Sequence, residues 1–304
     1  MYHESRMFPL FRRQFNLTQA SVRPSDATDV PAVSRLLSYG WRRFIGLGTE
    51  QLAALLTAGN GMVLTIDDAM LGALIASWPS EQVCWLRVAA FTQGVGASEA
   101  LDCLLPAFHQ HLHSRGITTM YYAGDSSSDA WLVPALTHRG YALDTEVIVY
   151  ENTQLQIPHV GNREVRIRQT LLTDLSAVLA VDRASFRPEW LKDDRILGPA
   201  IITGPLFMVA ELNGLIVGYV YATSHMAGRL VHLVRIAVNP QYRGMQIGVR
   251  LLAQVVDFAR NQGAVSLTLN TQANNLAAQT LYERFGFERT GERQPILCSK
   301  LVLP

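Results

Sequence analysis

The stretch Gln241-Tyr242-Arg243-Gly244-Met245-Gln246-Ile247-Gly248 is the part of this sequence best equipped for chemistry. It follows an apolar, strand-like run from Leu230 to Val238 that Asn239-Pro240 stops, and it leads into residues at helical spacing. Free backbone N–H groups at a helix start, together with the helix dipole, favour an anion there. Gly244 and Gly248 let the backbone come close to such a guest, and Arg243 adds a fixed positive charge with several donors. A pyrophosphate fits that description. The plainer reading is a sharp strand-to-helix turn whose glycines serve geometry alone. The segment has neither the Gly-Lys-Ser/Thr of a Walker loop nor a Gly-x-Gly-x-x-Gly dinucleotide fingerprint.

The elements around this loop are legible. Val165 to Gln169 alternates as a short strand, and Thr173 is placed to cap a helix carrying Leu175, Val178, Leu179 and Asp182. Leu206 to Glu211 and Leu215 to Ala222 flank Asn213-Gly214, a strong hairpin signal. Ile247, Leu251, Leu252, Val255, Phe258 and Ala259 form one face of a helix that Gly263 stops. Val265 to Asn270 alternates as a strand, and Asn275 to Phe285 reads as a last helix. Interleaved strands and helices give an α/β class, with a mixed α+β sheet.

The first half repeats this order. Val22-Arg23, Ser25, Thr28-Asp29-Val30 and Ala32-Val33 match Ile167-Arg168, Thr170, Thr173-Asp174-Leu175 and Ala177-Val178 in spacing. Arg87-Val88-Ala89 resembles Arg235-Ile236-Ala237, and Gly140-Tyr141 resembles Gly286-Phe287. Such a period is far too long for a solenoid. It predicts two tandem domains, 1–157 and 158–304, joined near Gln154 to Asn162. The 304 residues accommodate two domains on length alone. A 49% hydrophobic and 17% charged composition supports a core in each. A net charge of +1 argues against bulk capture of nucleic acid, while leaving room for one anionic ligand. Cys84, Cys103 and Cys298 are scattered, with neither metal-ligand spacing nor a disulfide framework. With only a short apolar patch at Phe8 to Phe11 and no 20-residue apolar run, the expectation is a cytoplasmic protein that does not span a membrane.

The stretch from Arg235 to Leu252 resembles the acetyl-CoA loop of the GNAT N-acetyltransferase superfamily, Gln/Arg-x-x-Gly-x-Gly/Ala. Arg243 matches its first position and Gly248 its last, while Gln246 takes the middle glycine site. Asn275-x-x-Ala278-x-x-Leu281-Tyr282-x-x-x-Gly286-Phe287 resembles a second motif of that family. The close match covers Arg229 to Glu288, and the order of elements extends it over Val165 to Leu303. The resemblance implies two tandem GNAT-like domains in a layout similar to mycothiol synthase-like enzymes. It implies acetyl-CoA as acyl donor and a small-molecule or peptide amine as acceptor, with no metal. Backbone groups of Ile236, Ala237 and Val238 would meet the pantetheine arm, and the amides of Arg243, Gly244, Met245, Gln246, Ile247 and Gly248 the pyrophosphate. Asn275 and Ala278 would lie near the thioester. Tyr282 stands at the family's position for the acid that protonates the departing thiolate.

A base is harder to assign. The family often uses a glutamate on this strand, and none is present. His232 lies on the same strand as Ile236, four residues earlier, so both are expected to face the same side, and histidine is the side chain best poised to accept a proton near neutral pH. His225 and Glu189 are weaker candidates, and water would also serve. Phe186, Trp190, Tyr219 and Tyr221 are candidates for an acceptor cleft or for core. In the first half, Val95 replaces Arg243, Ala100 replaces Gly248, Leu136 replaces Tyr282 and Asp129 replaces Asn275. That half is expected to be a degenerate, non-catalytic copy. Its His109, His111 and His113 point to different faces of one helix and make a poor metal site. The alternative to an enzyme is an acyl-CoA-binding or partner-binding protein on the same scaffold. Homodimerisation stays open.

Overall fold

The computed structural model describes residues 15–78, 82–124 and 130–301, so Phe8 to Phe11 and Asp129 lie outside the described residues. The chain divides into two compact units. One takes in the described residues of Met1–Ser77, Cys84–Tyr141 and Ser299–Pro304, the other Trp78–Val83 and Ala142–Cys298.

The first unit contains β1 (Ser21–Pro24), α1 (Val30–Tyr39), β2 (Arg42–Ile45), α2 (Thr49–Thr57), β3 (Gly61–Ile66), β4 (Ala69–Ser77), β5 (Val83–Phe91), α3 (Ala97–Ser114), β6 (Thr119–Ala123) and α4 (Leu132–Thr137). Its strands run in the order β1-β3-β4-β5-β6, with β2 also on β5. One core layer joins Val33 and Leu36 of α1 to Leu52 and Leu56 of α2 over Val63, Ala73 and Val88. Two of the three histidines of α3, His109 and His111, diverge as a two-residue spacing requires. His109 pairs with the Tyr141 hydroxyl at 2.8 Å, and His111 meets the Gly59 carbonyl at 2.7 Å.

The second unit contains β7 (Ala142–Asn152), β8 (Arg166–Gln169), α5 (Leu175–Ser185), α6 (Asp194–Thr203), β9 (Leu206–Leu212), β10 (Leu215–His225), β11 (Leu230–Val238), α7 (Ile247–Asn261), β12 (Ser266–Gln272), α8 (Leu276–Arg284) and β13 (Glu288–Lys300). The strand order is β13-β7-β12-β11-β10-β9-β8. The β9–β10 hairpin turns at Asn213 and Gly214, with φ of 52° and 78°, the left-handed pair that Asn-Gly supplies at least cost. Leu251, Leu252, Val255, Val256 and Ala259 of α7 pack on one face of the sheet with Val231 and Leu233. Val178 and Val181 of α5 and Leu197 and Ile201 of α6 cover the other face with Val209 and Ala237. Each valine, leucine or isoleucine side chain fully buried in this way contributes roughly 1.5–3 kcal/mol. Strand β7 precedes the sequence junction near Gln154, yet it sits between β12 and β13, antiparallel to both.

The repeat seen in sequence has a structural cause. Arg23 grips Asp29 with two hydrogen bonds of 2.8 and 2.7 Å, and Arg168 grips Asp174 with two of 2.6 and 3.0 Å. Each aspartate also accepts a backbone N–H three residues earlier, Asp26 in one unit and Leu171 in the other. The arginine beside it holds each carboxyl below its ordinary range. Thr173 does not cap α5: it lies inside the short turn Leu172–Asp174, which the Asp174 carboxylate closes by accepting from the Leu171 N–H, and the Asp174 side chain makes no cap hydrogen bond to α5. The pair fixes where the first helix of each unit leaves the sheet.

Candidate active site

Strands β11 and β12 run parallel and pair from Leu230 and Ser266 to Leu233 and Leu269. Beyond that point β11 stays on β10 as far as Val238, and β12 stays on β7 as far as Gln272. The two strands therefore part and leave a gap. An irregularity lies at the parting point: Arg235 pairs with Tyr221, but Leu233 pairs with the next residue, Ala222, leaving Val234 extra. A bulge of this kind bends the strand and inverts the alternation of side chains. Ile236 and Val238 pack with the α7 core, whereas Val234 and Ala237 pack with α5 and α6.

This bulge corrects the expectation for His232. Counting by twos from Ile236 fails across Val234, so His232 and Ile236 do not share a face. His232 Nδ1 lies 2.9 Å from Thr268 Oγ1 on β12, and burial followed by the neighbouring His225 lowers its pKa. It does not line the cleft described below. Nor does His225, which meets Thr223 Oγ1 at 2.9 Å.

The loop after β11 begins with a short turn, Pro240–Tyr242, where the Asn239 side chain accepts from the Gln241 N–H at 3.1 Å. Gly244 adopts φ +81° with open space where a Cβ would be. The Gln246 side chain makes no cap hydrogen bond to the first turn of α7. The amides of that turn stay available to an anion, and the helix dipole adds attraction. At Gly248 a Cβ would lie 3.4 Å from Leu281 Cδ2 and 3.9 Å from Val238 Cγ2, ordinary contact distances, so α8 stands close against the start of α7. Gln246 occupies a left-handed conformation, φ 57° and ψ 22°. Its carbonyl accepts from Arg250 and Asn162 at 3.1 and 3.4 Å. A glycine would adopt this conformation without strain, which is the physical sense of a glycine at that position. Gln246→Gly is expected to raise stability by about 1 kcal/mol, because a non-glycine left-handed residue costs roughly 1–2 kcal/mol and glycine's extra chain entropy returns part of it. Thermal melts of the two proteins check this, and a lower midpoint for the glycine variant would count against it.

Helix α8 forms the other wall. The Asn275 side chain caps it by accepting from the Ala278 N–H at 3.4 Å. Gln279 Nε2 donates to the carbonyls of Gln272 and Ala273 at 3.1 and 2.9 Å, tying the helix start to the end of β12. Strand β7 holds the far end. Asn152 Nδ2 donates to the Phe285 carbonyl at 2.7 Å, and the Tyr150 hydroxyl donates to Glu283 Oε1 at 2.9 Å. The Tyr282 ring packs between Tyr150 and Phe287, with centroids 6.2 and 5.9 Å away. Tyr282 is only 5% exposed, and burial pushes its phenol well above the ordinary value of 10. Its hydroxyl makes no hydrogen bond to another described residue.

Around the gap lies a cleft of about 950 Å³. Ile236, Ala237, Val238, Arg243, Gly244, Gln246, Ile247, Gly248, Asn275, Ala278 and Tyr282 all line it. Met245 sits among these residues in the chain but does not line the cleft. Thr145 and Val147 of β7 also contribute, as do Phe186, Arg187, Trp190 and Lys192 between α5 and α6. Tyr219 and Tyr221 are core residues, stacked on Phe207. Glu189 lies behind the wall, 2.7 Å from Arg187 Nε, and burial raises its pKa. Among the described residues lining the cleft, no side chain is a carboxylate or an imidazole. No group of three His, Cys, Asp or Glu among the described residues could hold a metal ion. No helix among them is long and apolar enough to cross a membrane.

Two features escaped sequence reasoning. Helix α6 carries the capping signal of Asp193, whose side chain accepts from the Ile196 N–H at 3.1 Å, ahead of Leu197 and Ile201. The buried pair of Asp182 with Arg235 was signalled by a carboxylate on the apolar stripe of α5.

Residues 175–287 match the model of the acetyltransferase (GNAT) family. The N-acetylaspartate synthetase of Danio rerio is 33% identical over 135 residues, which are 44% of this chain and 45% of that protein. The chain thus spans about half the length of such curated relatives. A GCN5-related N-acetyltransferase of Sphaerobacter thermophilus superposes with a TM-score of 0.59 at 16% identity, covering 94% of this chain and 96% of that one. A tandem GNAT protein from the clavulanic acid biosynthesis pathway gives 0.57 at 12% identity, covering 94% and 99%. Residues 175–287 thus match a GNAT acetyltransferase domain, and the fold of the chain is that of tandem GNAT proteins.

Proposed function

We propose that this chain moves an acetyl group from acetyl-CoA to a primary amine in the cleft of its second unit, and that the first unit, within residues 1–157, is a degenerate, non-catalytic copy. The observation that carries this reading is one cleft that joins a helix start left uncapped by Gln246, a gap between parted strands and a phenol whose hydroxyl has no described hydrogen-bond partner. The pyrophosphate would lie on the amides from Arg243 to Gly248, and the pantetheine arm between β11 and β12. Relatives named for aspartate acetylation fit an amine acceptor in general terms.

The chemistry is a direct transfer. A neutral amine nitrogen attacks the thioester carbon, and the carbon–sulfur bond breaks as the tetrahedral species collapses. Tyr282 donates its proton to the departing sulfur and regains one from water, while the new amide nitrogen gives its extra proton to solvent. A phenol held above its ordinary pKa is fully protonated at neutral pH, so the donor is ready before charge develops on sulfur.

With neither a carboxylate nor an imidazole in the described wall, the acceptor's own ionisation governs attack. The apparent second-order rate constant for the amine should climb through pH 7–9 toward the amine pKa, about 10.4 for a lysine-type acceptor. A pH–rate profile checks this; a plateau reached near pH 7 would show a protein base at work. Calorimetry with acetyl-CoA, followed by thiol release on a panel of amines, tests the function itself. Binding without thiol release on any amine would leave a non-catalytic acyl-CoA-binding protein.

A further inference from the structure

Asp182 is fully buried on α5, and the side chain of its partner Arg235 is 9% exposed. Arg235 reaches both carboxylate oxygens with Nη2, at 2.7 and 2.8 Å, and one of them again with Nε at 3.0 Å. The same Nη2 donates to the Trp190 carbonyl at 2.7 Å, and the guanidinium lies 3.4 Å from the centre of the Phe186 ring. Asp182 also accepts from the Tyr219 hydroxyl at 2.6 Å and from the Lys192 N–H at 3.2 Å. One ion pair thus gathers three points of the Phe186–Lys192 segment. Phe186, Trp190 and Lys192 all line the cleft.

The bulge at Val234 is what turns Arg235 toward α5. The loop from Arg243 to Gly248 leads into α7, on the opposite face of β11. A donor whose phosphates lie on that loop and whose arm fills the gap between strands leaves the α5 side open to the second substrate. The first unit offers an internal comparison. At the position matching Arg235, Arg87 donates to the Ser77 hydroxyl at 2.9 Å, and Leu37 stands where the repeat would place Asp182. The half that lacks the loop arginine also lacks the acid.

We infer that Arg235 and Asp182 form a buried positioning pair that holds the Phe186–Lys192 segment as the acceptor wall, setting amine affinity rather than acetyl-CoA affinity. This rests on the acetyltransferase reading above. A bidentate guanidinium–carboxylate pair fixes direction as well as distance, which a lysine in the same place would not.

The test uses the full chain, with L-aspartate, a peptide with a free N-terminus, a lysine peptide and an aminoglycoside as amines. Asp182→Asn and Arg235→Lys are each expected to raise KM for the best amine at least about tenfold. Acetyl-CoA affinity by calorimetry should stay within about twofold. Amide hydrogen exchange should quicken at 186–192 and stay unchanged in α7 and α8. Should those variants fail to fold, Tyr219→Phe removes one hydrogen bond to Asp182 and should shift the amine KM in the same direction by a smaller factor. Unchanged amine KM, or acetyl-CoA affinity falling in step with it, overturns the positioning role. No thiol release by the unsubstituted protein with any of the four amines overturns the acetyltransferase reading instead, and hydrogen exchange at 186–192 then decides whether the pair anchors that segment.

Discussion

Tyr282→Phe is expected to lower kcat by about a hundredfold, the lower end of the range for a positioned proton donor. Acetyl-CoA affinity should hardly change. The ring does the packing, between Tyr150 and Phe287, and phenylalanine keeps the ring. Only the hydroxyl is lost, and no other described residue depends on it for a hydrogen bond. The folded state should therefore tolerate the change well. The phenol is protonated at neutral pH because burial raises its pKa, so the deficit should persist across pH 6–8. Steady-state kinetics with calorimetry separate the two effects. Unchanged kcat would remove Tyr282 from proton transfer, and a parallel loss of acetyl-CoA binding would make its role structural.

The second large effect concerns β7. A fragment beginning at residue 158 should not bind acetyl-CoA, although it contains every residue of both sequence motifs. It lacks the strand that lies between β12 and β13 and pairs with each. Both strands would then expose backbone donors and acceptors that the fold satisfies. The fragment also loses Tyr150, a fully buried ring of the second core, and Asn152, which holds the Phe285 carbonyl at 2.7 Å. Deleting such a side chain alone typically costs about 3–5 kcal/mol. A fragment beginning at residue 142 keeps β7 and should recover acetyl-CoA binding. Circular dichroism and calorimetry on the two fragments decide the matter. Equal binding by both would show that β7 is dispensable.

Much of this was legible in sequence, for particular reasons. The turn from β11 into α7 was visible because helix starts and glycines follow local rules, and Asn213-Gly214 announced its hairpin for the same reason. The duplication was visible because Arg168 and Asp174 must sit six residues apart to grip one another, as Arg23 and Asp29 do. The side of the sheet that His232 faces was not legible, because it depends on a bulge that no residue type at Val234 announces. The site of β7 was hidden too, since strand order is a long-range property and Ala142 to Asn152 precedes the junction between repeats. The pairing of Arg235 with Asp182 needed the same three-dimensional information. The two residues are 53 positions apart, and the bulge decides that they meet.

Titration of the full chain with acetyl-CoA tests the central claim most directly. One binding site per chain is predicted, lost when Gly248 is replaced by tryptophan. A Cβ there would already stand 3.4 Å from Leu281, so a large side chain fills the space between α7 and α8. No binding, two equivalent sites, or a single site that survives Gly248→Trp would contradict the account.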